Sequence, residues 1–225
     1  MDNIVIGLIG SLIVLDTTVA FQFLISQPLI ACTLLGWFLG DIQLGLQIGM
    51  YVQLLWLSSM PVGASIVPEG NIAAVVITVL VFRYNDNYTN FNTILICAVL
   101  FGVFISYVGG ELVVFLRKSN QYLLKQVQIY ARKGKTNVLT SINVMAVLFH
   151  FTLMFGLIVA SLIVGDFLFD YISRFPIAWE KYFKYSVVAL VGIGAGLVVS
   201  IFKEKKYRLF LITGIVGGCI LFMIK

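Results

Sequence analysis

The chain has 225 residues, of which 60% are hydrophobic and 11% are charged, and its mean hydropathy is +1.04. About a quarter of the residues in a soluble domain are charged, so this composition excludes an ordinary soluble protein. Charge-free stretches such as 42–68 and 138–165 exceed the roughly 20 residues that a membrane-spanning helix needs. They are apolar on every face and do not alternate as barrel strands do. The sequence therefore predicts one all-α, polytopic membrane domain over residues 1–225.

The net charge of +5 reports topology and does not indicate nucleic acid binding, because all 15 Lys and Arg residues lie at or after Arg83. Two segments are strongly basic, 117–137 and 203–208, and the positive-inside rule places both in the cytoplasm. The segment 166–185 has balanced charges and is predicted to be external, as is the turn 83–92, which is rich in Asn and Asp.

In chain order, the first predicted span is Ile4–Ile25, which lacks the basic start and the cleavage site of a signal peptide. About six full spans are expected, with both termini external. The later charge-free spans are 93–116, 138–165, 186–202 and 209–224. Within the cytoplasmic segment 117–137, apolar side chains alternate with cations, which favours a helix over 119–135 on the anionic inner leaflet. A solvated linker is the alternative.

Residues 17–82 form a region of broken helices. Pro28, Pro61 and Pro68 interrupt the helical pattern. Glycines recur every four or five residues and favour close backbone packing; they are Gly36, Gly40, Gly45 and Gly49. A broken helix is tolerated at membrane depth only where it is buried in protein or lines a watery cavity. We therefore expect a re-entrant or broken helix pair within 28–60.

Polar side chains in this region favour a cavity. Gln43, Gln47 and Tyr51 are spaced i, i+4 and i+8 on a helix that begins near Asp41, and Gln53 lies about half a turn away. Amides, a phenol and a carboxylate suit the hydroxyl groups of a neutral polyol. Trp37 and Trp56 add flat apolar faces of the kind that pack against sugar rings. The alternative is that these polar and aromatic side chains only hold helices together.

Other chemistry finds little support in the sequence. The three cysteines lack metal-ligand spacing, and the single histidine, His150, lies inside a predicted span, where it is expected to pack or to bond to another helix. We find neither a P-loop nor a nucleophile elbow. We therefore predict no catalytic residue, no metal site and no cofactor.

Three segments carry a resemblance to a known family. They are PLIACTLLGWFLGD (28–41), GLQIGMYVQLLWLS (45–58) and VGASIVPEGNIAA (62–74). In this part of the chain the sequence resembles the sorbose/mannose-family enzyme IIC of the bacterial phosphoenolpyruvate:sugar phosphotransferase system. Relatives often carry Glu where this chain has Gln53, Asp where it has Glu69 and Arg where it has Gln27, which leaves the identity of the sugar open.

The resemblance implies a permease subunit of the bacterial inner membrane that is not itself an enzyme. It implies transport of a hexose or amino sugar together with an enzyme IID membrane subunit, in a homo-oligomer of such units in the lipid bilayer. Cytoplasmic IIA and IIB components would pass phosphate to the arriving sugar. The alternative is an ion-coupled secondary transporter with Asp16, Asp41 and Glu69 as coupling carboxylates; a membrane scaffold would leave the glutamine-rich stretch unexplained.

Five residues are candidates for substrate binding. Gln53 and Glu69 are predicted to bond directly to sugar hydroxyls, while Asp41, Gln47 and Asn71 line or support the path. Glu69 lies between a proline and a glycine, where a broken helix lets its carboxylate face a cavity and accept charge-assisted bonds. The alternative for Glu69 is a structural cap on that helix.

Overall fold

The structure, a computed structural model, describes residues 2–17, 19–20, 22–57, 68–85, 90–133, 136–202, 208–214 and 216. Every regular element in these ranges is helical. The helices are α1 (Asn3–Leu15), α2 (Pro28–Leu39), α3 (Ile42–Trp56), α4 (Gly70–Tyr84), α5 (Phe91–Arg132), α6 (Thr136–Ile172), a 3-10 turn (Ile177–Trp179) and α7 (Glu180–Ile201). Residues 208–214 are also helical.

Helix α4 forms the centre of the bundle. Every residue from Ile72 to Val81 is 0% exposed, because α1, α2, α3, α5 and α6 all pack against this helix. Its sequence, GNIAAVVITVLVFRY, is apolar on all sides until Arg83, as expected of a helix that is surrounded by protein. Helix α4, which comes from the region of broken helices, thus forms the core, and the longer helices α5 and α6 pack against it.

Within the described residues, three helices are long and apolar enough to cross a membrane: Phe91–Arg132, Asn137–Ile172 and Ile177–Ser200. The other helices have 12 to 15 residues, or about 18–23 Å at 1.5 Å per residue, which is short of a hydrocarbon core of about 30 Å. The all-helical class is confirmed. The number of full spans stays a prediction, and most of the predicted last span, 209–224, lies outside the described residues.

The predicted first span, Ile4–Ile25, is wrong as a single helix. α1 ends at Leu15, and the Asp16 carboxylate accepts hydrogen bonds from the backbone N–H groups of Phe23 (2.7 Å) and Ser26 (3.2 Å). The chain therefore folds back into a loop of residues 16–27. The sequence predicted a span because this stretch is mostly apolar. Composition does not show that the Asp16 carboxylate binds backbone N–H groups further along the chain.

The predicted helix pair within 28–60 is present as α2 and α3. Pro28 starts α2, a position that needs no backbone N–H. Gly40 ends it with a φ of 98°, and Asp41 then caps α3 by accepting a hydrogen bond from Leu44 N at 2.9 Å. The backbones of the two helices touch, because a Cβ atom on Gly36 would lie 2.8 Å from the Gly45 Cα. The predicted close packing at the glycines is confirmed here.

The two ends of the bundle differ in structure. At one end Arg83 bonds to Asp166, and Glu180 accepts hydrogen bonds from Asn92 N (2.7 Å) and Thr93 N (3.0 Å) at the start of α5. The two segments predicted to be external, 83–92 and 166–185, therefore meet. At the other end, the predicted surface helix over 119–135 is helical through Arg132, but it continues α5 without a break and is not a separate helix.

Candidate functional site

Four helix ends meet around a polar cavity of about 380 Å³. They are the carboxyl ends of α1 and α3 and the amino ends of α2 and α4. The lining residues are Asp16, Thr17, Gln22, Leu24, Ser26, Gln27, Pro28, Trp56, Pro68, Glu69, Gly70 and Asn71. We call this space the four-helix cavity. Its volume falls in the range of about 300–1,000 Å³ that is usual for small-molecule sites.

The depth of the cavity follows from α5. Glu69 N donates to Ser106 O at 2.9 Å, which fixes the cavity at the level of Ser106. Ser106 is 15 residues after Phe91 and 11 before Arg117, or about 22 Å and about 16 Å along the helix axis. The apolar part of α5 extends from this level back to Phe91 and forward to Gly110, so a bilayer crossed by α5 would enclose the level of the four-helix cavity.

Broken helices with termini at this depth are typical of transporter sites. The amino ends of α2 and α4 carry partial positive charge, and the carboxyl ends of α1 and α3 carry partial negative charge. Several of these backbone groups are already engaged within the protein: Leu29 N donates to Gln53 Oε1, and Glu69 N donates to Ser106 O. The polar side chains of the lining are therefore the main groups that a ligand could meet.

The loop over residues 16–27 forms one wall and is held in a strained shape. Gln22 (φ 57°) and Leu24 (φ 66°) adopt left-handed backbone conformations, which cost non-glycine residues about 1–3 kcal/mol each. Asp16, only 4% exposed, keeps the loop closed through its bonds to Phe23 N and Ser26 N. Both of its carboxylate oxygens are engaged in this way, so its role in the structure is to shape the wall.

Glu69, a predicted site residue, lines the cavity just before α4. It occupies the N-cap position, but its side chain makes no capping hydrogen bond. None of the described residues donates a hydrogen bond to its carboxylate or pairs with it as a cation within 4 Å. The structural alternative, a side-chain cap on the broken helix, is therefore not what the structure shows. The half-buried carboxylate remains available to a ligand.

Asn71, a second predicted residue, also lines the cavity. Its Nδ2 donates to Thr17 Oγ1 at 2.7 Å, which ties the start of α4 to the end of α1. This bond engages the NH₂ group of Asn71 and not its amide oxygen. Asn71 thus lies beside Glu69 and helps to hold the two helix ends together.

Gln53 does not line the cavity, but it bonds to a residue that does. Its Oε1 accepts a hydrogen bond from Leu29 N at 3.2 Å, and its Nε2 donates to Gln27 Oε1 at 3.4 Å. Gln27 itself lines the cavity. The structure therefore brings Gln53, Glu69 and Asn71 to one region.

Asp41 and Gln47 lie elsewhere on the hairpin. Asp41 is at the opposite end of α3 from Gln53, 12 residues or about 18 Å along the axis, and its carboxylate caps α3. Gln47 is half-buried between these two positions. Neither lines the four-helix cavity, and their predicted contribution to the path stays a prediction.

The loop residues that line the cavity were not predicted as binding residues. They include Thr17, Gln22, Ser26 and Gln27, and Asp16 was considered only as an ion-coupling group. The signal was the density of polar side chains in DTTVAFQFLISQP (16–28). The stretch was predicted as the end of a span and not as a polar loop, because a membrane helix and a loop that lines a cavity have similar overall hydropathy.

Comparison with known proteins places the fold and the site in context. A sequence model of the family described as the sorbose-specific IIC component of the PTS, the phosphotransferase system, matches residues 1–223. The chain belongs to this family. It is a membrane subunit for sugar transport by a phosphotransferase system, and the ion-coupled alternative is not favoured.

Relatives of this IIC subunit differ in the sugar that their names carry. The chain is 23% identical over 189 residues to the fructose permease IIC component of Bacillus subtilis, covering 84% of this chain and 68% of the relative. It is 43% identical over 61 residues to the mannose-specific EIIC component of Escherichia coli, covering 27% of this chain and 22% of the relative. The relatives therefore agree in being IIC components and differ in the sugar that they name.

Solved structures share the fold. One, described as the structure of a membrane protein, has a TM-score of 0.76 at 20% identity and covers 96% of this chain and 86% of that one. Another, a complex of the mannose transporter ManYZ with microcin E492, has a TM-score of 0.63 at 20% identity with the same coverage. IIC components work with other subunits of their phosphotransferase system, and this holds for the present chain as a member of the family.

Proposed function

We propose that the four-helix cavity is the sugar-binding site of this IIC subunit. The observation that carries the proposal is the Glu69 carboxylate, which faces a membrane-embedded cavity and has no hydrogen-bond donor among the described residues. A carboxylate inside a membrane is costly, and its presence there implies a use. Sugar hydroxyls would supply the missing donors, and charge-assisted bonds of this kind are roughly twice as strong as neutral ones.

The remaining lining fits a monosaccharide. Trp56 contributes an aromatic ring to the wall, suited to the apolar face of a sugar ring. Asn71 contributes a polar amide to the same wall. Asp16 and Glu69 are the charged residues of the described lining, which holds no cation. This charge balance favours a neutral sugar over a sugar phosphate, as expected if phosphorylation follows binding.

We further propose the setting in which the site acts. The chain would carry a hexose or amino sugar across the bacterial inner membrane, with an enzyme IID subunit beside it and the IIA and IIB components performing the phosphate transfer. The chain itself would not be catalytic. Asp41 and Gln47 would line or support the path at a distance from the cavity.

The glycines of α7 support a neighbouring membrane subunit, whereas exposed apolar side chains of α6 and α7 such as Phe167 (81%) and Val188 (65%) suit lipid equally well. A Cβ atom on Gly192 or Gly196 would meet none of the described atoms within 4 Å, so this GxxxG surface does not pack within the described part of the chain. Small-residue surfaces of this kind let a second helix approach closely. A homo-oligomer of IIC–IID units remains part of the proposal.

The test is Glu69→Gln, measured as sugar uptake in cells that contain the complete transport system. Losing a charged acceptor for one hydroxyl costs about 1–3 kcal/mol, so we expect the apparent KM to rise about tenfold or more, with unchanged amounts of protein in the membrane. The control is Asp2→Asn, since Asp2 is an exposed carboxylate before α1, makes no capping hydrogen bond and lies outside the cavity lining. A Glu69→Gln variant with normal KM, or one that fails only through loss of protein, would refute the assigned site.

A further inference from the structure

The orientation of the Gln53 side chain is fixed by a backbone group. Leu29 N belongs to the first turn of α2, where N–H groups have no partner inside the helix. It donates to Gln53 Oε1 at 3.2 Å. Only the oxygen of an amide can accept this bond, so the NH₂ group of Gln53 must point the other way.

That NH₂ group in turn orients Gln27. Gln53 Nε2 lies 3.4 Å from Gln27 Oε1 and donates to it. The amide oxygen of Gln27 is thereby engaged, and its own NH₂ group is left over. None of the described residues accepts a hydrogen bond from Gln27 Nε2. Because Gln27 lines the four-helix cavity, this NH₂ group is the part of its amide that a ligand in the cavity could engage.

From this chain of bonds we infer that Gln27 donates to a hydroxyl oxygen of the bound sugar and that Gln53 is a positioning residue acting through it. The inference rests on the proposed function of the cavity and assigns a direct contact to Gln27 in place of Gln53. The cavity then presents an acceptor, Glu69, and a donor with fixed polarity, Gln27. A site built from directed hydrogen bonds discriminates strongly against an analogue that lacks the matching hydroxyl.

Gln53→Glu gives the sharpest test. Glu at this position still accepts from Leu29 N, so the amino end of α2 keeps its partner. It no longer donates to Gln27, and its carboxylate attracts the Gln27 NH₂ group instead. The Gln27 amide would turn over and present its oxygen to the cavity, so the donor is lost without loss of a side chain at residue 27.

The measurement is uptake kinetics in the complete transport system, with the sugar that the wild type accepts and a set of its monodeoxy analogues. We expect Gln27→Ala and Gln53→Glu each to raise the KM of the parent sugar about tenfold, with the maximal rate within about twofold and unchanged protein in the membrane. For the one analogue that lacks the hydroxyl bound by Gln27, the variants and the wild type should have the same KM. The double variant should be no worse than either single one.

Each other outcome has a defined meaning. Additive effects of Gln27→Ala and Gln53→Ala would mean that Gln53 contacts the sugar itself, which overturns the positioning role. Normal KM values for Gln27→Ala and Gln53→Glu, together with a raised KM for Glu69→Gln, would overturn this inference and leave the cavity as the binding site. If Glu69→Gln is also without effect, the proposed function of the cavity fails. If Gln27→Ala lowers the amount of protein, Gln27→Met, which keeps the side-chain length, replaces it.

Discussion

The four-helix cavity lies at the amino end of α4 and a second polar cluster at its carboxyl end, and the two differ in how their groups are satisfied. We call the second cluster the Arg83 cluster: Asn3, Arg83, Tyr84, Asp166 and Asp170. Arg83 Nη1 donates to both oxygens of Asp166 at 2.8 and 2.6 Å, and Nη2 donates to Asn3 Oδ1 at 2.5 Å. Tyr84 Oη donates to Asp170 Oδ1 at 3.0 Å.

The cavity shows the opposite pattern. Glu69 and Gln27 keep unused hydrogen-bonding capacity that points to an open volume, and two residues of its loop have left-handed backbones. Glu69 and Gln27 are partly exposed, whereas buried polar groups are normally satisfied. Near the Arg83 cluster, the buried Asn85 Oδ1 has no partner among the described residues, so an unsatisfied atom by itself does not indicate a ligand. We interpret a closed set of bonds, as at Arg83, as a tie between helices, and an open set beside a cavity as room for a ligand. Polarity alone therefore does not mark the site, whereas hydrogen-bonding capacity that stays open beside a cavity does.

The largest expected effect is at Asp16, which lines the cavity but has both carboxylate oxygens engaged in hydrogen bonds. Asp16→Ala removes the acceptor for two backbone N–H groups of a strained loop, and leaving a buried donor unsatisfied costs about 1–3 kcal/mol. We expect lower thermal stability of the purified complex, by about 3 kcal/mol, and loss of sugar uptake. Asp16→Asn, which keeps one acceptor, should lose less of both. Full uptake by Asp16→Ala would show that the cavity wall does not depend on this carboxylate.

A smaller effect, on stability alone, is expected at the Arg83 cluster. Arg83→Met removes the pair with Asp166, whose side chains are 23% and 30% exposed, and should cost about 2 kcal/mol, below the 3–5 kcal/mol of fully buried pairs. Thermal unfolding should shift downward, while the KM of the protein that remains folded should match wild type. Arg83→Lys, which keeps the charge without the paired donors, should lie between. A KM change as large as that of Glu69→Gln would show that the Arg83 cluster affects substrate binding, and it would contradict the purely structural role given to it here.

The smallest effect is expected at Asp41. Asp41→Ala removes the cap on α3, worth about 1 kcal/mol, because Leu44 N loses its acceptor. We expect a slight loss of thermal stability and a KM within about twofold of wild type, since the cap lies about 18 Å from Gln53 along the helix. Asp41→Ser preserves a capping oxygen and should restore the stability. A raised KM with full stability would instead give Asp41 a direct part in binding.

The family and its transport role could be read from the sequence, as could the class of fold. Charge-free stretches require helices in a membrane, since only helices and closed barrels satisfy their backbone groups there. The sequence also predicted a helix pair within 28–60 whose second helix begins near Asp41, and the structure adds that Gly40 has a positive φ and that Asp41 caps α3. Such local rules operate between neighbours in the chain, so the sequence is sufficient to apply them.

Only the tertiary structure decided which polar residues share the cavity. Asp16 and Ser26 are 10 residues apart and Thr17 and Asn71 are 54 apart, and each pair is joined by a hydrogen bond. Gln27 and Gln53 meet because α2 and α3 pack at their glycines. Composition records how many polar groups an apolar segment contains, but not whether each one finds a partner. That depends on which helix ends meet, so the division between satisfied ties and the cavity that we propose to bind sugar is a property of the packed bundle.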